Sequence, residues 1–182
     1  MVEVVTSVFR SITSNDYTVI NKSANQCSVS VAENDLVITS AGGTGGAVFN
    51  SDITEVKFDS SSKAFYVWLL KDGENYAGLF LDGVKKRIWL TNGTATSSFD
   101  DSITLDGYTQ LATGTAPVNN VEIKRDNNHY TLKVNEETKW DFVLDKNAFS
   151  DHGITDNAEY ILGLGCQWSK NQTTTYANLQ VK

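Results

Sequence analysis

The chain has 182 residues, and its 15 Lys and Arg against 22 Asp and Glu give a net charge of −7. An acidic chain without clustered Lys and Arg lacks the positive surface that nucleic-acid phosphates and anionic lipids require. Its longest apolar run, residues 64–70, is far shorter than the roughly 20 residues of a membrane helix. We therefore expect a single soluble domain over residues 1–182, with no nucleic-acid partner and no membrane insertion.

Strand signals dominate the chain, since nineteen Thr, sixteen Asn and 13 Gly leave little sequence with helical spacing. Short runs rich in Val, Ile, Thr and aromatic residues alternate with turn clusters. About fifteen short strands of this kind predict an all-β sandwich or barrel. Segment 147–157 has mixed character and could hold one helical turn. The predicted strands are 5–10, 17–21, 27–32, 35–39, 46–49, 55–58, 63–71, 76–81, 85–91, 108–113, 120–125, 129–135, 139–144, 159–168 and 176–181.

The most informative stretch is residues 63–91, which predicts three strands joined by tight hairpins at 71–74 and 82–83. Side chains alternate between the two faces of a strand, so the sequence sorts into an aliphatic face and an aromatic face. Such an aromatic face is either covered by other parts of the chain or open to a ligand with flat apolar surfaces. The aromatic face contains Tyr66, Trp68, Tyr76, Phe80, Arg87 and Trp89, and Leu70 is predicted to share the face of Tyr66 and Trp68.

The two cysteines, Cys27 and Cys166, are too few for a disulfide scaffold or a cysteine-rich zinc site. Because cysteine is among the most buried residue types, we expect two buried thiols. A bridge would require that the strands carrying them be neighbours.

The C-terminal part contains four strand patterns, at Val121–Asn135, Trp140–Leu144, Tyr160–Gly165 and Tyr176–Val181. Their order and strand spacing resemble those of the concanavalin A-like lectin and glucanase domains. The resemblance implies an antiparallel two-sheet jelly-roll β-sandwich, all-β in class, of the carbohydrate-binding module type. The likeness covers roughly the last 120 residues when the aromatic hairpins are counted.

One position departs from the family pattern, because Asn135 is followed by Glu136 where the family usually has Gly. We expect the turn there to be built differently. Gly163 and Gly165 alternate with Leu162 and Leu164, so the glycines lie opposite the predicted core positions. They either let a ligand approach the backbone or mark a bulge or bend of the sheet.

Catalytic signals are weak, and we expect a non-catalytic protein. Glucanases of this class are similar to one another in a strand with several carboxylates on one face. Glu33–Asp35 begins in that way, but lacks the further carboxylate and has turn character. Glu136 and Glu137 are adjacent and fit a solvated hairpin tip. Neither His129 nor His152 has the spacing of a metal site or a catalytic triad.

Recognition of a sugar is the function that the residues and the resemblance favour. Aromatic rings stack on the C–H faces of sugars, and Asn, Asp, Gln and Arg bond the hydroxyls. Trp68, Trp89 and Tyr66 are the preferred stacking rings, although Trp68 and Trp89 could instead pack under a loop. Trp140 is predicted to lie in the core. The candidate carbohydrate-binding residues are Tyr66, Trp68, Asn75, Tyr76, Asp82, Arg87, Trp89 and Trp168.

The resemblance also raises a structural calcium ion, because many sandwiches of this class hold one. Loop acids in 100–101 and 151–156 could supply oxygen ligands. No other cofactor is implied.

The leading hypothesis is thus a module that binds a neutral oligosaccharide or polysaccharide, since the negative net charge disfavours acidic ones. We expect such a module on a cell surface, outside the cell or on a virion, as part of a larger protein whose other domains are its neighbours. Adhesion to a host by a phage tail or a bacterial surface protein would fit this setting. A structural or protein-interaction sandwich is the second hypothesis, and an unusual glycoside hydrolase the third.

Overall fold

The computed structural model describes residues 8–21, 27–40, 45–62, 65–81, 86–91, 97–100, 117–166 and 171–182. The described residues form fifteen strands and one short 3-10 helix, Lys146–His152 (η1). The strands are Arg10–Ser11 (β1), Tyr17–Asn21 (β2), Cys27–Ala32 (β3), Asp35–Ser40 (β4), Gly45–Phe49 (β5), Glu55–Ser60 (β6), Phe65–Asp72 (β7), Asn75–Leu81 (β8), Lys86–Thr91 (β9), Ser97–Asp100 (β10), Val121–Asp126 (β11), His129–Val134 (β12), Glu137–Val143 (β13), Glu159–Gly165 (β14) and Gln172–Val181 (β15).

The strands form two antiparallel sheets, which confirms the predicted jelly-roll β-sandwich. The first sheet has the order β13-β12-β11-β6-β15-β4-β3, with β1 paired to the end of β15. The second has the order β10-β9-β8-β7-β14-β5-β2. Each sheet therefore combines strands from early and late parts of the chain, as in a jelly roll. The predicted strand at 108–113 lies outside the described residues, and β10 was not predicted.

The first sheet shows the alternation expected of a sheet with one core face and one wet face. In β4, β6 and β12 every second residue is buried, and the residues between are partly exposed. Trp140 on β13 is fully buried, so its predicted place in the core is confirmed. The inward side chains of this sheet include Leu36, Ile38, Val56, Phe58, Val121, Ile123, Tyr130, Leu132, Trp140 and Tyr176.

The second sheet is covered on both faces at its centre. All five residues from Tyr66 to Leu70 are buried, although consecutive side chains of a strand point to opposite faces. The register between β7 and β8 shifts at Leu69, so that Trp68 pairs with Gly78 but Leu70 pairs with Ala77. Leu70 therefore faces the same side as Ala77, and its predicted place on the face of Tyr66 and Trp68 is wrong.

A tyrosine hydroxyl from the first sheet bonds the backbone of the second at its irregular positions. The Tyr130 hydroxyl donates to the carbonyl oxygens of Leu69, at 3.0 Å, and Ile161, at 2.7 Å. Both carbonyls lie where the pairing of β7 with its neighbours is interrupted. Burial of the phenol raises the pKa of Tyr130. The hydroxyl thus satisfies backbone groups that the sheet ladder leaves without strand partners.

The hairpin between β12 and β13 is the one that departs from the family pattern. Val134 pairs with Glu137, and the two residues between them, Asn135 and Glu136, have φ angles of 51° and 67°. Positive φ at both central positions is the requirement of a type I′ turn, which Asn satisfies readily and Glu does not. Glu136 and Glu137 are exposed, which confirms the predicted hairpin tip.

Segment 147–157 is helical in its first half, and the helix η1 is longer than the predicted single turn because it covers seven residues, Lys146–His152. The helix η1 begins after Asp145, whose carboxylate accepts a hydrogen bond from the backbone N–H of Asn147. It ends at Gly153, whose φ of 82° is the left-handed conformation typical of a helix end. Phe149 is fully buried and anchors the turn to the sandwich.

The segment before β2 is held by one buried carboxylate. Asp16 is 6% exposed and accepts two hydrogen bonds from the Arg10 guanidinium, at 2.7 and 2.8 Å. It also accepts the backbone N–H of Thr13 at 2.7 Å and the Thr13 hydroxyl at 2.9 Å. The Arg10 bonds, supported by those from Thr13, lower the pKa of Asp16 from 3.8 to about 2.

Candidate functional site

Two of the predicted stacking rings lie in the core. Tyr66 is 4% exposed and Trp68 is fully buried, so neither ring offers a surface to a sugar in this structure. The alternative of a covered face therefore holds for both residues. A stacking platform needs an exposed ring face, so the prediction that Tyr66 and Trp68 stack on a sugar is wrong for this structure.

The space beside Trp68 explains the glycines on the neighbouring strands. A Cβ added at Gly78 would lie 3.0 Å from Trp68 Cε3, one at Gly163 would lie 3.2 Å from Trp68 Cβ, and one at Gly46 would lie 2.9 Å from Trp68 Nε1. These three glycines come from β8, β14 and β5. The neighbouring backbone is closer still, since the added Cβ would lie 2.2 Å from the Leu164 carbonyl at Gly46, 2.4 Å from that of Val67 at Gly78 and 2.6 Å from that of Ala47 at Gly163, so both the strands and Trp68 exclude a side chain. The pairing of β14 with β7 also shifts register just before Gly163. A bulge of the sheet was the second explanation that the sequence offered for this glycine.

Tyr76 is the described candidate ring that keeps some exposure. It is half-buried, with its ring in edge contact with Trp68 at a centroid distance of 6.3 Å. Lys71 pairs with Tyr76 on one side and with Glu159 on the other, so the three residues form one row across β8, β7 and β14. Burial raises the pKa of Tyr76, and the carboxylates of Glu74 and Glu159 add to the effect.

A small pocket of about 210 Å³ lies beside this row, lined also by Tyr160. Asn75, half-buried, lies one residue before Tyr76 and pairs with Asp72 at the hairpin end. Both Asn75 and Tyr76 stay candidates. Asp82, Trp168 and the side chains of Arg87 and Trp89 lie outside the described residues.

A groove of about 890 Å³ lies on the outer face of the first sheet. We call it the polar groove. Its floor is a row of side chains across four strands: Lys57 on β6 pairs with Gln180 on β15 and with Glu122 on β11, which pairs with Lys133 on β12. Lys57 and Glu122 form an ion pair with a distance of 3.0 Å between Nζ and Oε2.

One end of the polar groove is an amide cluster organised around Asp59. The Asp59 carboxylate accepts the backbone N–H of Asn120 at 2.8 Å and the side-chain amide of Asn178 at 3.3 Å. The Asn120 side-chain amide donates to the Asn135 side-chain oxygen at 2.9 Å, and the Asn135 backbone N–H donates to the Asn120 carbonyl at 3.1 Å. Glu136 completes the lining at this end.

The backbone holds these amides in place. Asn120, Asn135 and Asn178 have φ angles of 51°, 51° and 53°, and asparagine is one of the few residues that adopt this conformation readily. Asn178 is further fixed because its backbone N–H donates to the Asp35 carboxylate at 2.9 Å. The amide cluster is therefore ordered by local bonds that do not depend on a ligand.

The charges that line the polar groove nearly balance, with Lys57 and Lys133 against Asp59, Glu122 and Glu136. Such a surface has no strong field for an ion. It does offer amides that both donate and accept hydrogen bonds, which is the capacity that a hydroxyl-rich neutral ligand needs.

The sequence did not indicate the polar groove. Glu122 and Lys133 are paired and partly exposed on the outer face of the β11–β12 hairpin. The contributions of β6 and β15 depend on sheet order, which strand alternation does not fix. The available signal was the pair Asn120 and Asn135, which flank the two ends of one predicted hairpin.

Catalytic and metal features are sparse among the described residues. Glu33 and Asn34 form the turn between β3 and β4, and Asp35 bonds Asn178 instead of joining other carboxylates. No three His, Cys, Asp or Glu side chains within the described ranges approach one another closely enough to hold a metal ion. Asp151 and Asp156 are both exposed and belong to no such group, and Asp101 and the side chain of Asp100 lie outside the described residues. No helix in the described part of the chain is long and apolar enough to cross a membrane.

No protein-family model matches the chain, and no curated protein sequence matches it. Among solved structures it is similar to the carbohydrate-binding module CBM66 from Bacillus subtilis, at 10% identity and a TM-score of 0.43, over 92% of this chain and 96% of that one. A sialidase matches at 11% identity and a TM-score of 0.47, over 92% of this chain and 17% of its own. The catalytic domain of an endo-1,3-beta-glucanase (laminarinase) from Thermotoga petrophila RKU-1 matches at 10% identity and a TM-score of 0.40, over 94% and 92%. Likenesses at this level do not reveal what the chain binds.

Proposed function

We propose that the protein binds a neutral saccharide in the polar groove without cleaving it. The observation that carries this proposal is the ordered cluster of Asn120, Asn135 and Asn178 around Asp59, at one end of an open groove of about 890 Å³. Amides held in this way can bond several hydroxyl groups of one sugar. The cavity lies within the volume range of small-molecule sites and leaves room for an oligosaccharide.

The balanced charges of the polar groove and the ordered amides at its end support a neutral ligand. The two lysines and three carboxylates of the groove leave no net positive field for an acidic polymer. Because the amides are already bonded to one another and to Asp59, they lose little side-chain entropy when a ligand binds.

Affinity should be modest, because the groove has no exposed aromatic ring among its described residues. Phe58 contributes to the lining but is only 3% exposed. Phe9 is half-buried next to the groove, and the Lys57 ammonium lies 4.2 Å from the centre of its ring. Without ring stacking, most of the binding energy would come from hydrogen bonds, and we expect dissociation constants in the millimolar to submillimolar range.

The test measures binding of a neutral glucan, a neutral mannan, a neutral fructan and, for contrast, polygalacturonate by calorimetry. The variants are the double change Gln180→Ala and Lys133→Ala, and Asn178→Gly, in which glycine tolerates the positive φ. Each should weaken binding of the neutral polymer about 5- to 30-fold, because one or two hydrogen bonds are lost. Lys124→Ala is the matched control, since this exposed lysine lies on the same face outside the groove.

Binding to none of the neutral polymers would refute the proposal. A loss of binding in Tyr76→Ala or Trp89→Ala, with the groove variants unaffected, would keep saccharide binding but move the site to the predicted aromatic face. Release of reducing ends from the bound polymer would contradict the non-catalytic part. The setting that we propose is a module of a larger extracellular, cell-surface or virion protein.

A further inference from the structure

The two cysteines come from different sheets and meet at one end of the sandwich. Cys27 begins β3 in the first sheet, and Cys166 directly follows β14 in the second. Both are buried, with exposures of 5% and 0%, and both are thiols in the structure. Buried cysteines are the outcome that the sequence predicted, but their meeting across two sheets was not.

Gly45 on β5 brings the two cysteines together. The Cys166 backbone N–H donates to the Gly45 carbonyl at 3.1 Å, which extends the pairing of β14 with β5 by one residue. A Cβ at Gly45 would lie 2.6 Å from Cys27 Cβ and 2.9 Å from Cys27 Sγ. Because position 45 has no side chain, Cys27 packs directly against β5 at the residue that lies opposite Cys166.

The thiols interact with each other and with Ser40. Cys27 pairs with the buried Ser40 across β3 and β4. The neighbouring Cys166 thiol, together with burial, raises the pKa of Cys27. The pKa of Cys166 is lowered, first by the hydrogen bond from Cys27 and then by bonds from the Ser40 hydroxyl and the Gly45 N–H. Cys166 is thus the thiol that ionises first.

We propose that Cys27 and Cys166 are a cross-linking site, at which oxidation forms a disulfide that joins the two sheets. Cys27 lies against Gly45, and Gly45 is the β5 residue opposite Cys166, so the two thiols need only a short approach to reach the S–S bond length of about 2.05 Å. The bond would close a loop of roughly 140 residues, which is the kind of cross-link that restricts an unfolded chain most.

The oxidant is a low-molecular-weight disulfide such as oxidised glutathione. The Cys166 thiolate attacks one sulfur of this disulfide, and one thiolate leaves. The Cys27 thiolate then attacks Cys166 Sγ of the mixed disulfide and displaces the second. Both protein thiols lose a proton, and their two electrons reduce the small disulfide to two thiols. Because both cysteines are buried, the reaction would occur during folding or when this end of the sandwich opens.

The test compares the full chain refolded in a glutathione redox buffer with the same chain refolded under reducing conditions. Free thiols are then alkylated in denaturant, and the protein is analysed by mass spectrometry and by a non-reducing gel. We expect a monomer in which Cys27 and Cys166 are both protected from alkylation and joined in one peptide pair. We also expect a melting temperature about 5–15 °C above that of the reduced protein. Reductant and Cys166→Ser should each abolish this rise.

Full alkylation of both cysteines after oxidative refolding, or cross-links only between chains, would refute the proposal. A cross-linked monomer that melts below the reduced protein would also refute it, because the native arrangement would then be strained by the bond. If Cys166→Ser does not fold, the comparison of wild-type protein with and without reductant decides alone.

Discussion

Replacement of Asp16 by Asn tests whether a single buried carboxylate stabilises the segment before β2. The change keeps the shape of the side chain and removes the charge that Arg10 and Thr13 bind at 2.7–2.9 Å. Because the wild-type carboxylate has a lowered pKa, its contribution to the free energy of unfolding is fully present above the ordinary pKa of 3.8. It is lost as the pH falls through the folded-state value of about 2.

The magnitude follows from the size of the shift. A change from 3.8 to about 2 corresponds to about 2 kcal/mol of stabilisation at neutral pH. The Arg10 side chain is 52% exposed, and solvent screening therefore reduces the expected effect to about 1–2 kcal/mol.

The measurement is the free energy of unfolding in urea for wild type and Asp16→Asn, between about pH 7 and pH 2. The variant should be less stable at neutral pH by the amount given above, and the two curves should converge near pH 2. Asp151→Asn, at an exposed site, is the control and should change stability by less than about 0.5 kcal/mol. A difference between wild type and Asp16→Asn that stays constant over the whole pH range would show that the charge is not the cause.

Two further changes test the irregular parts of the sheets. Tyr130→Phe removes the hydroxyl that bonds Leu69 and Ile161, and should destabilise the fold by about 1–3 kcal/mol in urea unfolding, because buried carbonyls lose their donor. Tyr160→Phe, at a half-buried site, is its control, and an equal loss in both would contradict the argument. Glu136→Gly should stabilise the protein by about 0.5–1 kcal/mol in the same measurement, because glycine adopts the φ of 67° without strain; a loss of stability would contradict this.

The predictions that rest on local patterns agree well with the structure. The strands Tyr17–Asn21 and Cys27–Ala32 have the predicted bounds, and Trp140 lies in the core as its spacing from Phe142 indicates. These features depend on neighbours in sequence. The face assigned to Leu70 was wrong because a single bulge at Leu69 reverses the alternation after it, and no residue type marks that bulge.

The candidate site was predictable only in part, because it depends on contacts distant in sequence. Alternation correctly placed Tyr66 and Trp68 on one face, but it does not reveal whether that face is covered or that Gly78 and Gly163 pair with Trp68. The polar groove joins Lys57, Glu122 and Gln180 from three strands of the first sheet. Their adjacency follows from the sheet order β11-β6-β15, which the strand pattern does not encode.

The burial of two tryptophans also has a spectroscopic consequence. Trp68 lies in one sheet and Trp140 in the other, and neither has any exposed surface. A dissolved quencher such as iodide cannot reach either indole, so their emission reports on the intactness of the two sheets. Any iodide quenching of Trp68 or Trp140 would thus indicate that the sheet carrying that ring has opened.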